Sequence, residues 1–215
     1  MISMSFSPPK DVAIAVSGGA DSMAVLDFLR KSRNVTALHF NHGTKFSDEA
    51  EDVVRSYCEK YSLPLIVGCI NKEKPKGRST EDFWREERYN FFKEVHAGLP
   101  VITCHHLDDV VETWLFTSFH GKSRLIPHMR DFYLRPFLET RKSAFEDWCD
   151  RKNVPVFYDV SNSDTSYMRN YIRHEVVPKA LRVNPGLHKV LRKKLKADFS
   201  SRWTEDWANK SMEMT

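Results

Sequence analysis

Six consecutive residues, Ser17-Gly18-Gly19-Ala20-Asp21-Ser22, bring together two glycines, two hydroxyls and a carboxylate. They stand between an apolar run at 12–16 and a segment of helical spacing that starts near residue 22. Glycines let the backbone turn tightly and approach a ligand, and the free amides of a helix's first turn point at whatever sits there. An anion is the natural occupant of such a place. Ser17 and Ser22 can add hydroxyl donors, and Asp21 suits a phosphate only with a divalent cation between them. Neither the Gly-Lys-Ser/Thr of a Walker loop nor the Gly-x-Gly-x-x-Gly of dinucleotide folds occurs at this strand–helix junction.

A second group, His105-His106-Leu107-Asp108-Asp109-Val110-Val111-Glu112-Thr113, follows the apolar run at 101–104. If the chain is helical from Asp108, Asp109 and Glu112 share a face, with His105 or His106 one turn back. Two converging carboxylates can hold magnesium or orient a cationic amine. The same acids also suit the positive end of a helix dipole, so the residues alone leave both readings open.

These groups need strand ends to hold them. Short runs rich in β-branched and aromatic residues lie at 12–16, 35–40, 65–70 and 101–104, with a weaker one at 133–138. Between them, helical stripes are formed by Met23, Val25, Leu26 and Leu29; by Ala50, Val53, Val54 and Tyr57; by Phe83, Tyr89 and Phe92; and by Val110, Trp114 and Phe116. Strands alternating with helices predict an α/β fold: a five-stranded, mostly parallel sheet with helices on both faces, occupying residues 1–140. The rest, 141–215, reads as a small helical extension: one helix at 143–152, a turn-rich stretch at 159–166, and helix from 167 to 199 broken at Asn184-Pro185-Gly186.

With 215 residues and 41% hydrophobic content the chain can build a real core. Its net charge of +4 is modest but unevenly spread. Between Arg169 and Arg202 ten basic residues face only Glu175 and Asp198. Beside a nucleotide site, such a run suits phosphate contact as well as it suits a solvated helix face. The single cysteines Cys58, Cys69, Cys104 and Cys149 form no Cys-x-x-Cys pair, which argues against zinc or iron–sulfur ligation. The first ten residues lack a signal peptide's apolar run, and no segment reaches membrane-spanning length; a cytoplasmic protein without membrane attachment is expected.

The loop at 17–22 resembles the SGGxDS motif of PP-loop ATP pyrophosphatases, and His105 to Thr113 resembles HHxDDxxET. Three more segments are similar to those of the tRNA(Ile)-lysidine synthetase branch. Glu81, Arg85, Arg88 and Tyr89 match Glu-x-x-x-Arg-x-x-Arg-Tyr, and Arg135-Pro136-Phe137-Leu138 matches Arg-Pro-Leu-Leu. Asp159-Val160-Ser161-Asn162-Ser163-Asp164, followed by Arg169-Asn170-Tyr171-Ile172-Arg173 and Pro178, matches D-x-(S/T)-N-x-D and RNxIR. Two departures stand out: Asn41-His42-Gly43 where that family has Asp-His-Gly, and His120-Gly121 where it has Arg-Gly.

The resemblance implies ATP and Mg2+ as cofactors, with L-lysine and an isoleucine tRNA bearing a CAU anticodon as substrates. It implies ATP binding by Ser17, Gly18, Gly19, Ala20, Asp21, Ser22, His42 and His105. Catalytic roles fall to Asp21, Asp109 and Glu112, with magnesium on Asp21 and Asp109. Glu81, Arg85, Arg88 and Arg135 line the substrate pocket, while Arg169, Asn170, Arg173 and Lys193 contact tRNA. Competing readings are a PP-loop tRNA thiolase, an amidating ligase that uses ammonia, and a nucleotide- or RNA-binding module without turnover.

Overall fold

The computed structural model describes residues 1–44, 46–158 and 168–202. Along the chain run β1 (Asp11–Ala15), α1 (Ala20–Leu29), β2 (Asn34–Asn41), α2 (Ser47–Lys60), β3 (Leu65–Cys69), α3 (Thr80–Val95), β4 (Val101–Ile102) and α4 (Leu107–Phe119). There follow β5 (Met129–Arg130), β6 (Tyr133–Leu134), α5 (Lys142–Lys152), α6 (Met168–Tyr171), a π-helical turn (Ile172–Val176), α7 (Val177–Val183) and α8 (Leu187–Arg202). The motif at 159–164 lies outside the described residues.

The strands form one sheet in the order β3-β2-β1-β4-β6-β5. All neighbours are parallel except β5 and β6, which pair as a hairpin with Met129 opposite Leu134. β1 lies between β2 and β4, so successive connections leave it in opposite directions. Such a reversal opens a crevice at the carboxyl ends of the two central strands, which is where ligands bind in open α/β sheets.

One face of the sheet carries α1, α2 and α5 over a core that includes Val12, Ile14, Met23, Leu26, Tyr57, Phe137 and Phe145. On the other face Phe92 of α3 packs with Ala13, Leu38, Val101 and Tyr133. A third cluster joins Leu107, Val111 and Leu115 of α4 to Leu187, Leu191 and Leu195 of α8. No helix among the described residues is long and apolar enough to cross a membrane.

Two expectations are corrected. The sheet has six strands, not five, because the weak run at 133–138 yields the two-residue β6, and β5 precedes it through a turn with Asp131 at φ 55°. Two residues are too few to show an alternating pattern. Phe116, assigned to the buried stripe of α4, is 41% exposed. It lies two residues past Trp114 and so points away from the core, whose stripe is Leu107, Val110, Val111 and Leu115. The break at Asn184 occurs as expected: its carbonyl accepts from Leu187 N, and its Oδ1 from Gly186 N.

A buried carboxylate fastens the helices behind the crevice. Asp27 of α1 is 2% exposed. It accepts from Tyr57 Oη of α2 (2.6 Å), Arg30 Nη2 (2.6 Å) and Trp148 Nε1 of α5 (2.9 Å), and it pairs with Lys31 at 3.0 Å. Burial alone would raise its pKa, but hydrogen bonds from Tyr57, Lys31, Arg30 and Trp148 outweigh burial and hold it at about 2. A carboxylate depressed in the folded state stabilises the fold above its unfolded pKa. The contribution is complete above about pH 4 and is lost as pH falls through about 2. Asp27→Ala should lower stability by about 3 kcal/mol in urea titrations at pH 7, since it strands buried donors and a cation. Wild type and variant should converge as pH drops toward 2, and parallel curves over that window would refute the assignment.

Candidate functional site

β1 leads directly into the glycine loop. Gly18 has φ 87°, and a Cβ there would lie 3.0 Å from the carbonyl oxygen of Ala50, so only glycine allows the loop to lie against α2. Ser22 is buried within the loop: its hydroxyl donates to Gly19 O (3.0 Å) and accepts from Ser17 N (3.0 Å). Its proton is therefore engaged, and the hydroxyl facing outward is that of Ser17. Gly19 and Ala20 begin α1 with no side-chain cap, which leaves the first amides directed into the crevice. From the far side, Phe157 N donates to Gly18 O at 2.9 Å.

β4 leads into His105 and His106, and His106 opens α4. Its Nδ1 accepts from Asp109 N (3.3 Å) while Asp109 Oδ2 accepts from His106 N (3.0 Å), a reciprocal cap. The other ring nitrogen, Nε2, lies 3.5 Å from Asp21 Oδ2. One imidazole thus spans the two motifs. Burial works against charging it, yet Asp109, Asp21 and Asp108 raise its pKa above the ordinary histidine value. His105, the neighbouring residue expected to bind ATP, is bonded to Thr103 Oγ1 and held neutral by burial and by Arg135, Arg169 and Arg85, with a pKa pushed down to about 3.

The three acids of α4, Asp108, Asp109 and Glu112, have three different surroundings. Asp108 faces away from the crevice and joins Arg141, Lys142 N (2.8 Å) and His188 Nε2 (3.1 Å), fixing α4 to α5 and α8. Asp109 is buried, which raises its pKa, but His106, His105 and Arg169 bring it below the usual carboxylate range. Glu112, 4% exposed, is gripped by both sides of the Arg173 fork at 2.7 and 3.1 Å. Arg169 stands 3.5 Å from Asp109 and 3.7 Å from Glu112. The pairing of these arginines with the acids of α4 was not anticipated; sixty residues separate them, and no local pattern signals it.

Asp21 Oδ1 is buried without a hydrogen-bond partner. The described residues contain no cluster of three or more His, Cys, Asp or Glu suited to a metal. Magnesium keeps several waters and takes one or two carboxylates plus phosphate oxygens, so the orphaned oxygen of Asp21, with Asp109 beyond His106, fits such an ion only when a phosphate completes the shell.

A basic wall acts on His105 through the charges of Arg135 and Arg85. Arg85 and Arg88 on α3 flank the Tyr89 ring at 4.9 and 5.9 Å. Arg135, 5% exposed, donates to Pro127 O (3.0 Å), and its Nε has no partner. Burial lowers the pKa of both Arg88 and Arg135, and neighbouring guanidiniums lower it further. Among the described residues none of the three pairs with a carboxylate. His42, packed on Phe40 and Trp84 with its Nδ1 unpartnered, is neutral at a pKa of about 4 through burial and the charge of Arg88. Glu81 is exposed on the first turn of α3, Asn170 is half-buried beside Arg169, and Lys193 is exposed on α8. Asn41 donates to Asp48 and Glu51 at 2.9 Å each.

Comparison with known proteins gives one family and a consistent set of relatives. The model of the PP-loop domain matches residues 3–180. The tRNA(Ile)-lysidine synthase of Geobacter sulfurreducens is 35% identical over 202 residues, covering 84% of this chain and 42% of that protein. The tRNA(Ile)-lysidine synthase of Thermotoga maritima is 32% identical over 190 residues, covering 81% of this chain and 46% of that protein. The chain thus spans about half the length of the curated relatives it matches. Among solved structures, the U34-tRNA thiolase NcsA of Methanococcus maripaludis superposes with a TM-score of 0.70 at 14% identity, over 89% of this chain and 73% of that one, a likeness of fold.

Removing one partner of a buried ion pair leaves the other stranded, so Arg173→Ala and Glu112→Ala should each destabilise by about 2 kcal/mol or more. The double variant should cost clearly less than their sum, with a coupling of at least ~1 kcal/mol in chemical denaturation. Strict additivity would show that the fork at Glu112 is not formed in solution.

Proposed function

The chain belongs to the family of PP-loop ATP-binding domains, and on that footing we propose that it is a tRNA(Ile)-lysidine synthase acting on the wobble cytidine of a CAU anticodon. The carrying observation is the single imidazole of His106, which lies 3.5 Å from Asp21 of the glycine loop and 3.5 Å from Asp109 of the second motif. One bound nucleotide can therefore touch both motifs. Identity above 30% with lysidine synthases over four-fifths of the chain supports the choice of branch.

In this reading the triphosphate lies against the amides and hydroxyl of Ser17, Gly18, Gly19, Ala20 and Asp21, with Ser22 holding the loop in shape. His42 and His105, both neutral, line the nucleotide pocket. Mg2+, held by Asp21 and Asp109 together with phosphate oxygens, would supply positive charge to the polyphosphate. Arg85, Arg88 and Arg135 receive the remaining negative charge, and Glu81 stands at the rim of that wall. The ring carbonyl oxygen at position two of cytidine attacks the α-phosphorus, the α–β bridge breaks and pyrophosphate leaves. Lysine's ε-nitrogen then bonds to carbon two, the carbon–oxygen bond breaks, and AMP departs.

The amine must be neutral to attack. At pH 7 deprotonating a free lysine costs about 4.6 kcal/mol. Asp109 and Glu112, buried carboxylates on one face of α4, divide between holding the magnesium and receiving the ammonium, with one acting as general base. Arg169, Asn170, Arg173 and Lys193 follow the anticodon phosphates; a guanidinium has five N–H donors, so Arg173 can bond phosphate and Glu112 together. Sulfur transfer is less favoured by the thiols. Cys58 and Cys149 are buried, with pKa values pushed up to about 11 and about 12 by burial, then by nearby acids.

The decisive experiment incubates the protein with ATP, radiolabelled lysine and a minor isoleucine tRNA bearing CAU. Label should enter the tRNA with release of AMP and pyrophosphate, and a folded protein that transfers none overturns the reading. Glu112→Gln should lower turnover by at least about 100-fold. A variant with undiminished turnover removes Glu112 from catalysis.

A further inference from the structure

Helix α4 has two long faces. Leu107, Val111 and Leu115 are buried against α8. Asp109, Glu112, Phe116 and Phe119, spaced three, four and three apart, form a second stripe. Its first half holds the carboxylates beneath Arg169 and Arg173. Its second half is bare: Phe116 is 41% and Phe119 66% exposed. Folding gains nothing from two phenyl rings in water, so their presence on the face that carries Glu112 asks for a partner.

The chain around the rings says what that partner is. From Trp114 to His128 there is no Asp or Glu, while Lys122 and Arg124 are present. Both are exposed, and neither takes part in an ion pair among the described residues. His120 packs beside Phe116 with ring centroids 4.7 Å apart and planes tilted by 44°, and its Nδ1 bonds the Phe116 carbonyl. The loop is not loose. Thr117 Oγ1 accepts from Arg124 N (2.8 Å) and Lys122 N donates to Thr117 O (2.9 Å), while Ser118 meets Ser123 at 2.9 Å. The backbone that carries Lys122 and Arg124 is thus tied to the helix end that carries the rings.

We propose that this tip, Phe116, Phe119 and His120 with Lys122 and Arg124, is a stacking platform for unpaired RNA bases next to the nucleotide being modified. Aromatic faces beside unpaired cations are the means by which proteins hold single-stranded nucleic acid. A helix rises 1.5 Å per residue, so the rings lie on the order of 10 Å along α4 from Glu112, within reach of bases that flank one held at the carboxylates. This inference rests on the RNA substrate proposed above and adds the surface that would splay its loop.

The test measures binding, without ATP or lysine, of a CAU anticodon stem-loop and of a fully paired hairpin of equal length. Phe116→Ala/Phe119→Ala should weaken stem-loop binding roughly tenfold or more while changing hairpin binding little. Phe119→Trp should retain stem-loop affinity, which separates stacking from a merely structural role, and thermal melts confirm that each variant is folded. Lys122→Ala/Arg124→Ala should flatten the log–log salt dependence by about 1.4. Unchanged stem-loop affinity in the double phenylalanine variant overturns the proposal. So does a wild-type dimer that this variant converts to monomer without loss of RNA affinity, which would make the face a contact between copies. A protein that needs both rings for the stem-loop yet never incorporates lysine keeps the platform and loses the proposed reaction. Lysine transfer at unchanged KM for tRNA without the rings loses the platform alone.

Discussion

The constraint on which this structure turns is charge balance at the carboxyl edge of one sheet. Asp109 and Glu112 pair with Arg169 and Arg173, and the charges of Asp109, Arg135, Arg169 and Arg85 all act on His105 between them, where burial strengthens a pair and penalises an unpaired group. The acids of α4 are matched by Arg169 and Arg173. Among the described residues no carboxylate pairs with the basic wall, and burial with mutual repulsion lowers the pKa of Arg88 and Arg135. A polyanion is the component that balances it. The free first-turn amides of α1 point to the same occupant from the opposite side, so two independent features of the backbone and the side chains ask for one ligand.

Position on a helix separates roles that the sequence writes side by side. Asp108 and Asp109 are neighbours, yet the turn of about 100° per residue sends the first toward Arg141 and His188 and the second toward the crevice. Asp108 anchors α4 so that Asp109 and Glu112 hold still. Asp27 does the same for α1 from behind the glycine loop, and its ties to Tyr57 and Trp148 keep α2 and α5 in register with it. Gly18 lies against Ala50 of α2, so the network at Asp27 and the shape of the loop are mechanically joined.

Features set by neighbours in the chain were legible in the sequence. The glycine loop, its place after β1, the acids at the start of α4 and the break at Asn184 all follow from local pattern. What the sequence concealed depends on contacts between distant segments. Nothing within eight residues of Arg173 tells that Glu112 is its partner, and an unusual histidine cap hid the bridging part of His106. The two-residue β5 carried too little pattern to be seen. Phe116 differs for another reason: it is apolar and close in sequence to the buried stripe, yet two residues past Trp114 is about 200° around the helix, and it faces outward.

Asn41 shows how a departure from a family pattern can be local in cause. Its amide donates to Asp48 and Glu51, and its carbonyl accepts from Gly43 N at 2.8 Å. An aspartate in its place would set a third carboxylate against two and would lose both donations, so asparagine and the acids of α2 belong together. The consequence reaches the site. The carboxylates nearest this strand end are Asp48 and Glu51 of α2, both bonded to the Asn41 amide. Glu51 is further engaged by Arg55, which, with Asn41, brings its pKa below the usual range despite burial. The carboxyl end of β2, beside His42, thus carries a neutral side chain whose amide is spent on two acids of α2.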